Sequence, residues 1–192
     1  MSKIRILAFA GSLRAQSLNK KLVAVAAQTA REMDCEVDLI DLRDFQMPIY
    51  DGDDEQAHGQ PQLAKDLKAR ILACDALLVG CPEYNASITA VLKNTIDWLS
   101  RPQPGEPSAF KGRPAALLAA SLGPIGGLRG LSPVRDILTQ LGVLTVPTQF
   151  ALGSAGGAFD DDGNLIDPVQ RNLVKDVLVE LVTVTAALRA AR

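Results

Sequence analysis

Apolar and polar positions run along this chain in two rhythms. Residues 4–10, IRILAFA, form a nearly unbroken apolar stretch, the pattern of a parallel strand buried on both faces. After it Leu18, Leu22, Val25 and Met33 recur at near-helical spacing. Residues 35–42 (CEVDLIDL), 75–81 (DALLVGC) and 113–121 (RPAALLAAS) predict three more strands, and 142–149 (GVLTVPTQ) a short fifth. Leu63, Leu67, Arg70 and Ile71 mark a helix ahead of the third strand, and Ile88, Val91, Leu92, Ile96 and Leu99 mark another after it. Ser132 and Pro133 read as the N-cap and first position of a helix that carries Val134, Ile137, Leu138 and Leu141 and closes at Gly142. Asp167 and Pro168 open the last helix in the same way, with Leu173, Val174, Val177, Leu181 and Leu188 facing inward.

Five strands alternating with five helices predict an α/β domain with a parallel sheet covered on both faces. The expected strand order is 2-1-3-4-5, a flavodoxin-like three-layer sandwich occupying residues 1–192 as one domain. No repeat or low-complexity tract divides it, and the Pro/Gly loop at 101–114 is too short for a linker. The order reverses between strands 1 and 3, and ligands of such sheets bind outside the carboxyl ends there. GSLRAQSLN (11–19) and PEYNASITAVLKN (82–94) follow those two strands, so the chemistry is expected in them.

Composition narrows the class without changing the fold. With 192 residues, 47% hydrophobic and 22% charged, the chain can bury one substantial core and is not disordered. A formal net charge of −2 argues against nucleic-acid binding, which would show a basic stripe. Lys20-Lys21, the longest basic run, reads as the solvated face of a helix. The start MSKIRILAFAGS leads into a turn rather than a cleavage site, and no apolar stretch is long enough to span a bilayer, so neither export nor a membrane partner is expected. Three cysteines at unrelated spacings point to a reducing compartment, hence a cytoplasmic location. Cys74 and Cys81 flank the third strand; about seven residues at roughly 3.3 Å each hold them beyond the ~7 Å a disulfide can bridge.

The first loop offers helix N–H groups, the hydroxyls of Ser12 and Ser17, the Asn19 amide and the Arg14 guanidinium. A helix dipole contributes about 0.3–1 kcal/mol to a bound anion, whereas hydrogen bonds to a charged group contribute roughly 1.5–3 kcal/mol each, so the donors dominate. The loop lacks the lysine that a triphosphate needs and the further glycines that a dinucleotide's pyrophosphate needs. A single phosphomonoester fits best, although a plain turn capped by Ser17 would look the same in isolation. Across the switch point, Pro82, Tyr84 and Asn85 can border a flat heterocycle and bond its polar edge. A phosphate cradle beside a planar-ring cradle describes a mononucleotide such as FMN. After the fourth strand, SLGPIGG (121–127) carries Ser121 and three glycines at the same sheet edge, where backbone can approach a ligand closely.

GSLRAQSLN, PEYNASITAVLKNTIDWLSR and SLGPIGGLRG together resemble the NADPH-dependent FMN reductase family, the flavodoxin-like group that includes quinone, chromate and azo-dye reductases. The resemblance runs over nearly the whole chain. It implies that Ser12, Arg14, Ser17, Leu18 and Asn19 hold the FMN phosphate. It also implies that Pro82, Glu83, Tyr84 and Asn85 border the isoalloxazine, with Ser121 and Gly123 on its other side. NADPH or NADH would be the co-substrate, a quinone or similar small molecule the electron acceptor, and a homodimer or homotetramer the assembly. Two departures stand out: Thr89-Ala90 replaces the family's Pro-Gly after the YN-x-S stretch, and Pro133 comes early in its helix.

With FMN in place no protein acid or base is required. The expected cycle is ping-pong, with nicotinamide and acceptor using one flavin face in turn. His58, in DDEQAHGQPQ, reads as a loop residue, and the cysteines and histidine form no ligand cluster for a metal. Two other readings stay open: a flavodoxin-type electron carrier, and a non-redox nucleotide-binding regulatory module. PEYNAS has no glycine peptide free to flip beside a flavin, which favours two-electron chemistry, although Gly80 lies close by.

Overall fold

The computed structural model describes residues 2–191. Strand β1 (Arg5–Ala10) is buried from Ile6 onward and leads through Gly11 to helix α1 (Leu18–Glu32). Strand β2 (Glu36–Leu39) follows, then a short 3-10 turn at Leu42–Phe45, helix α2 (Gly52–His58) and helix α3 (Gln62–Leu72). Strand β3 (Ala76–Gly80) runs into a hairpin, β4 (Glu83–Tyr84) and β5 (Ser87–Ile88), and then helix α4 (Ala90–Leu99). Strand β6 (Pro114–Ala120) is buried throughout and precedes helix α5 (Leu128–Gln140). Two short strands, β7 (Leu144–Thr145) and β8 (Phe150–Leu152), and the long helix α6 (Pro168–Ala190) complete the chain.

The main sheet is parallel in the order β2-β1-β3-β6, with β7 and β8 both paired to β6. This is the expected 2-1-3-4-5 winding with its fifth position split. Leu144 pairs with Pro114 near the start of β6, and Phe150 with Leu118 towards its end. Between them Pro147 has no N–H to donate, and the Thr148 N–H turns away to the Glu180 carboxylate on α6 at 2.8 Å. The continuous strand expected over 142–149 is therefore two pieces, the second beginning beyond that range.

Alternation along β1 sorts the core into two layers. Ile6, Ala8 and Ala10 pack with Leu22, Val23 and Ala26 of α1 and Val174, Val177 and Leu181 of α6. Leu7 and Phe9 pack with Leu67 and Ile71 of α3, Leu92 and Ile96 of α4, and Leu131, Val134 and Leu138 of α5. Each fully buried Leu, Ile or Val contributes roughly 1.5–3 kcal/mol of transfer free energy, so both helical layers are strongly held.

Three helix boundaries differ from the sequence pattern. Helix α5 starts at Leu128 behind Gly127, not at Pro133 behind Ser132, and Pro133 lies inside it. An interior proline costs about 3 kcal/mol relative to alanine. The added turn is held by contacts made far away in sequence, where Arg129 and Gly130 bind Glu83. Helix α4 starts at Ala90, because Ile88 belongs to the hairpin. His58 is the last residue of α2, a helix with no buried residue and therefore no apolar stripe to announce it. Asp167 does cap α6, with Pro168 in its first turn.

Cys35, Cys74 and Cys81 are free and buried, and burial pushes all three thiols above the usual cysteine range. Among the described residues no helix is long and apolar enough to cross a membrane, and no group of three His, Cys, Asp or Glu is placed to hold a metal ion.

Candidate functional site

The carboxyl ends of β1 and β3 are stitched together by the Gly11 N–H, which donates to the Gly80 carbonyl at 2.8 Å. Gly11 is glycine for packing: a Cβ there would stand 2.7 Å from the Leu92 Cβ on α4. Ser12 is buried, with its Oγ accepting from the Arg14 N–H at 3.2 Å. Ser17 is the N-cap of α1, accepting from the Lys20 N–H at 3.4 Å. The first N–H groups of a helix, here those of Leu18 and Asn19, have no intrahelical partner and lie next to this loop.

The two nearby cations and the nearby amide have different fates. Lys20 is not a solvated residue of the helix face: its ammonium is held by both carboxylate oxygens of Asp41 at 2.7 and 2.8 Å. Burial pushes the Asp41 carboxyl upward, but hydrogen bonds from Arg43 and Lys20 outweigh that and bring it down to about 2. Arg14 is exposed and makes no side-chain hydrogen bond or ion pair among the described residues, so its guanidinium is available to a ligand. The Asn19 amide, expected on the phosphate, is buried and committed elsewhere: it donates to the Ala120 carbonyl at 2.8 Å and accepts from the Ala120 N–H at 3.0 Å. Asn19 therefore has only its backbone N–H to offer the loop.

PEYNASI is a hairpin, with Glu83 opposite Ile88 and Tyr84 opposite Ser87. Its tip, Asn85-Ala86, has positive φ at both positions (52° and 61°), as a two-residue primed turn requires. Pro82 is buried and Tyr84 is 53% exposed. The Glu83 side chain is turned onto Arg129, whose Nη2 lies 2.7 Å from Oε1, which leaves the Glu83 backbone to face a ring. In the third segment the Ser121 N–H donates to the Leu152 carbonyl and its Oγ to the Gly123 carbonyl at 3.4 Å. Gly126 serves packing, since a Cβ there would stand 2.6 Å from the Leu152 carbonyl carbon. Gly123 meets only Ser121 Oγ, at 3.7 Å, and is the glycine of this loop left open to an approaching molecule.

The first loop and the hairpin meet in one groove of about 390 Å³, lined by Gly11, Ser12, Leu13 and Arg14 on one side and Tyr84, Thr89, Ala90 and Val91 on the other. Thr89, one of the two departures from the family pattern, locks the groove. Its Oγ1 donates to the Gly11 carbonyl at 2.7 Å and accepts from the Leu92 N–H at 3.2 Å, capping α4. A threonine three residues ahead of an apolar helical stripe is a legible N-cap signal, and only its reach to Gly11 is hidden. Beyond Leu13 a second hollow of about 230 Å³ borders the segment Met47–Ile49. That segment is strapped to α4, since the Pro48 carbonyl accepts from Asn94 Nδ2 at 2.9 Å and Trp98 Nε1 at 2.8 Å. A hollow of about 330 Å³ lies at the opposite end of the sheet, around Arg5, Glu36 and Asp38. It is away from the switch point and has no helix N-terminus among its walls.

These parts make a consistent receptor. An open helix N-terminus, two serines and an unpaired guanidinium suit one phosphate; the groove beside them, walled by Tyr84, Leu13 and Val91, suits a flat ring.

The sequence pattern of the NADPH-dependent FMN reductases matches residues 4–157. The chain is 40% identical over 181 residues to an NAD(P)H-dependent FMN reductase of Pseudomonas aeruginosa, covering 93% of both. It is 32% identical over 192 residues to an NADPH:quinone oxidoreductase of Arabidopsis thaliana, covering 97% of this chain and 94% of that one. Among solved structures it is similar to FerB, a flavoenzyme NAD(P)H:(acceptor) oxidoreductase from Paracoccus denitrificans. The TM-score is 0.83 at 29% identity, covering 96% of this chain and 98% of the other.

Proposed function

The chain belongs to the NADPH-dependent FMN reductase family, and from that premise we propose an FMN-dependent NAD(P)H oxidoreductase that passes two electrons to a quinone or a similar small-molecule acceptor. The observation that carries this reading is the convergence of Ser12, unpaired Arg14 and Tyr84 on one groove at the switch point, in the loop that leads into α1.

Ser12, Arg14, Ser17 and the N–H groups of Leu18 and Asn19 would hold the FMN phosphate. Pro82, Glu83, Tyr84 and Asn85, through the hairpin backbone and the tyrosine ring, would border the isoalloxazine, with Ser121 and Gly123 opposite. When bound, FMN supplies the two-electron carrier between nicotinamide and acceptor. The chain's own part is placement. The Ser12–Arg14 turn and Ser17 fix the phosphate end, Thr89 holds the hairpin to the phosphate loop, and Leu13 and Val91 give the groove an apolar wall. One open face served in turn by donor and acceptor gives a ping-pong order.

A homodimer or homotetramer is supported by the apolar residues exposed on the carboxyl-edge loops and the first turn of α5, among them Ile49 (76%) and Leu122 (73%) with Leu13, Ile125 and Leu128. The free, buried cysteines support a cytoplasmic location.

The test is a spectrum. The purified protein should show oxidised flavin, bleach directly to the two-electron reduced state with NADPH or NADH under anaerobic conditions, and regain colour with a quinone. Steady-state rates should give parallel double-reciprocal lines. A lasting one-electron spectrum with no response to nicotinamides would make it an electron carrier instead. Colourless protein that rejects added FMN would remove the flavin reading altogether.

A further inference from the structure

The hairpin that carries Tyr84 cannot hold its own position. It has two residues per strand and pairs with no strand of the main sheet. An isolated hairpin of this size is marginal in water. Its tip is also strained, because Ala86 adopts a positive φ of 61° that L-residues other than Asn and Asp avoid. Something outside the hairpin must fix it.

Glu83 is placed to do so. Its side chain is only 9% exposed, while Arg129 opposite is 64% exposed. Oε1 accepts from Arg129 Nε at 2.9 Å, and Oε2 accepts from the Gly130 N–H at 3.3 Å. The carboxylate thus shares an N–H in the first turn of α5 that also donates to the Gly127 carbonyl at 3.1 Å, and places its negative charge at the start of that helix. Gly130 allows the approach, since a Cβ there would stand 3.2 Å from the Glu83 Cβ. Neighbouring residues of a strand point to opposite sides, so fixing Glu83 on α5 aims Tyr84 the other way, into the groove it lines.

Resting on the flavin reading above, we propose that Glu83 is a positioning residue. It acts through Arg129 and Gly130, setting where Tyr84 stands against the ring end of the ligand and leaving the phosphate end untouched. The test is flavin affinity of the apoprotein, read by fluorescence on titration with FMN and with riboflavin, which lacks the phosphate. Glu83→Gln should weaken both by about tenfold and by the same factor. Arg129→Gln, at an exposed position, should do the same, while Arg129→Lys, which keeps the charge, should stay within about threefold of wild type. In a Tyr84→Ala background Glu83→Gln should add nothing, because the carboxylate works through that ring.

Unchanged affinities in Glu83→Gln and Arg129→Gln overturn the proposal, as does a loss confined to FMN or a full additional loss in the Tyr84→Ala background. Should Glu83→Gln not fold, judged by circular dichroism, Arg129→Gln decides. Wild-type protein that binds neither flavin would instead overturn the flavin reading itself.

Discussion

Asn19 and Ala120 stand 101 positions apart and share two hydrogen bonds, the Asn19 amide closing on both the carbonyl and the N–H of one peptide. The contact ties the first turn of α1 to the carboxyl end of β6, so the helix that offers its N–H groups to a phosphate is anchored two strands away from the strand that precedes it. Asn19→Ala should lower stability by about 2–4 kcal/mol, because it removes two bonds and leaves buried backbone groups unsatisfied. Urea unfolding followed by circular dichroism measures this, and an unchanged midpoint would contradict the bracing role.

Arg14 invites the opposite result. It is exposed and has no side-chain partner within the described residues, so Arg14→Ala should leave the unfolding free energy measured in urea within about 0.5 kcal/mol of wild type. FMN affinity should drop by about tenfold or more, while riboflavin affinity stays put. Equal losses for the two flavins would place Arg14 away from the phosphate.

Thr89 serves two elements with one hydroxyl. Thr89→Val keeps the shape and removes both bonds, at a cost of about 1–3 kcal/mol. Thr89→Ser should recover most of it. Thermal unfolding of the three proteins side by side checks the order.

Asp41 makes stability sensitive to acid. Its carboxyl sits at about 2 in the folded chain against an ordinary 3.8, so the native state is favoured fully above roughly pH 4. That contribution fades as pH falls through 2, because the proton binds the unfolded chain more readily. Allowing for solvent screening it amounts to about 1–2 kcal/mol. Asp41→Asn should therefore be less stable at neutral pH and show a shallower loss between about pH 4 and 2. Unfolding free energies at several pH values give both slopes.

The sheet was legible because its inner strands are continuous apolar runs, which water leaves no choice but to bury. What escaped was decided by distant partners. The β4–β5 hairpin lacks the glycine that usually marks such a turn, since Ala86 takes the left-handed position instead. The start of α5 was masked by Ser132-Pro133, a strong local signal overridden by the docking of Arg129 and Gly130 on Glu83. In the candidate site, Ser12, Arg14 and Tyr84 were picked out by residue type, and the fold brings those three onto one groove. Residue type could not show that the Asn19 amide is committed to Ala120 or that the Glu83 carboxylate is turned onto Arg129, since those partners lie on other elements, and it read Lys20 as solvated where Asp41 holds it.

The split in the fifth strand also bears on how copies of this chain can meet. β7 and β8 form one outer border of the sheet, and between them Pro147 and the turned-away Thr148 N–H interrupt the row of free backbone groups. The other border, β2, is four residues long and carries Glu36 and Asp38. Neither rim offers the long, unbroken template on which another chain's strand could zip up, so the sheet is guarded against edge-to-edge growth. Association between copies is left to helices and loops, and amyloid-like stacking has no ready starting edge.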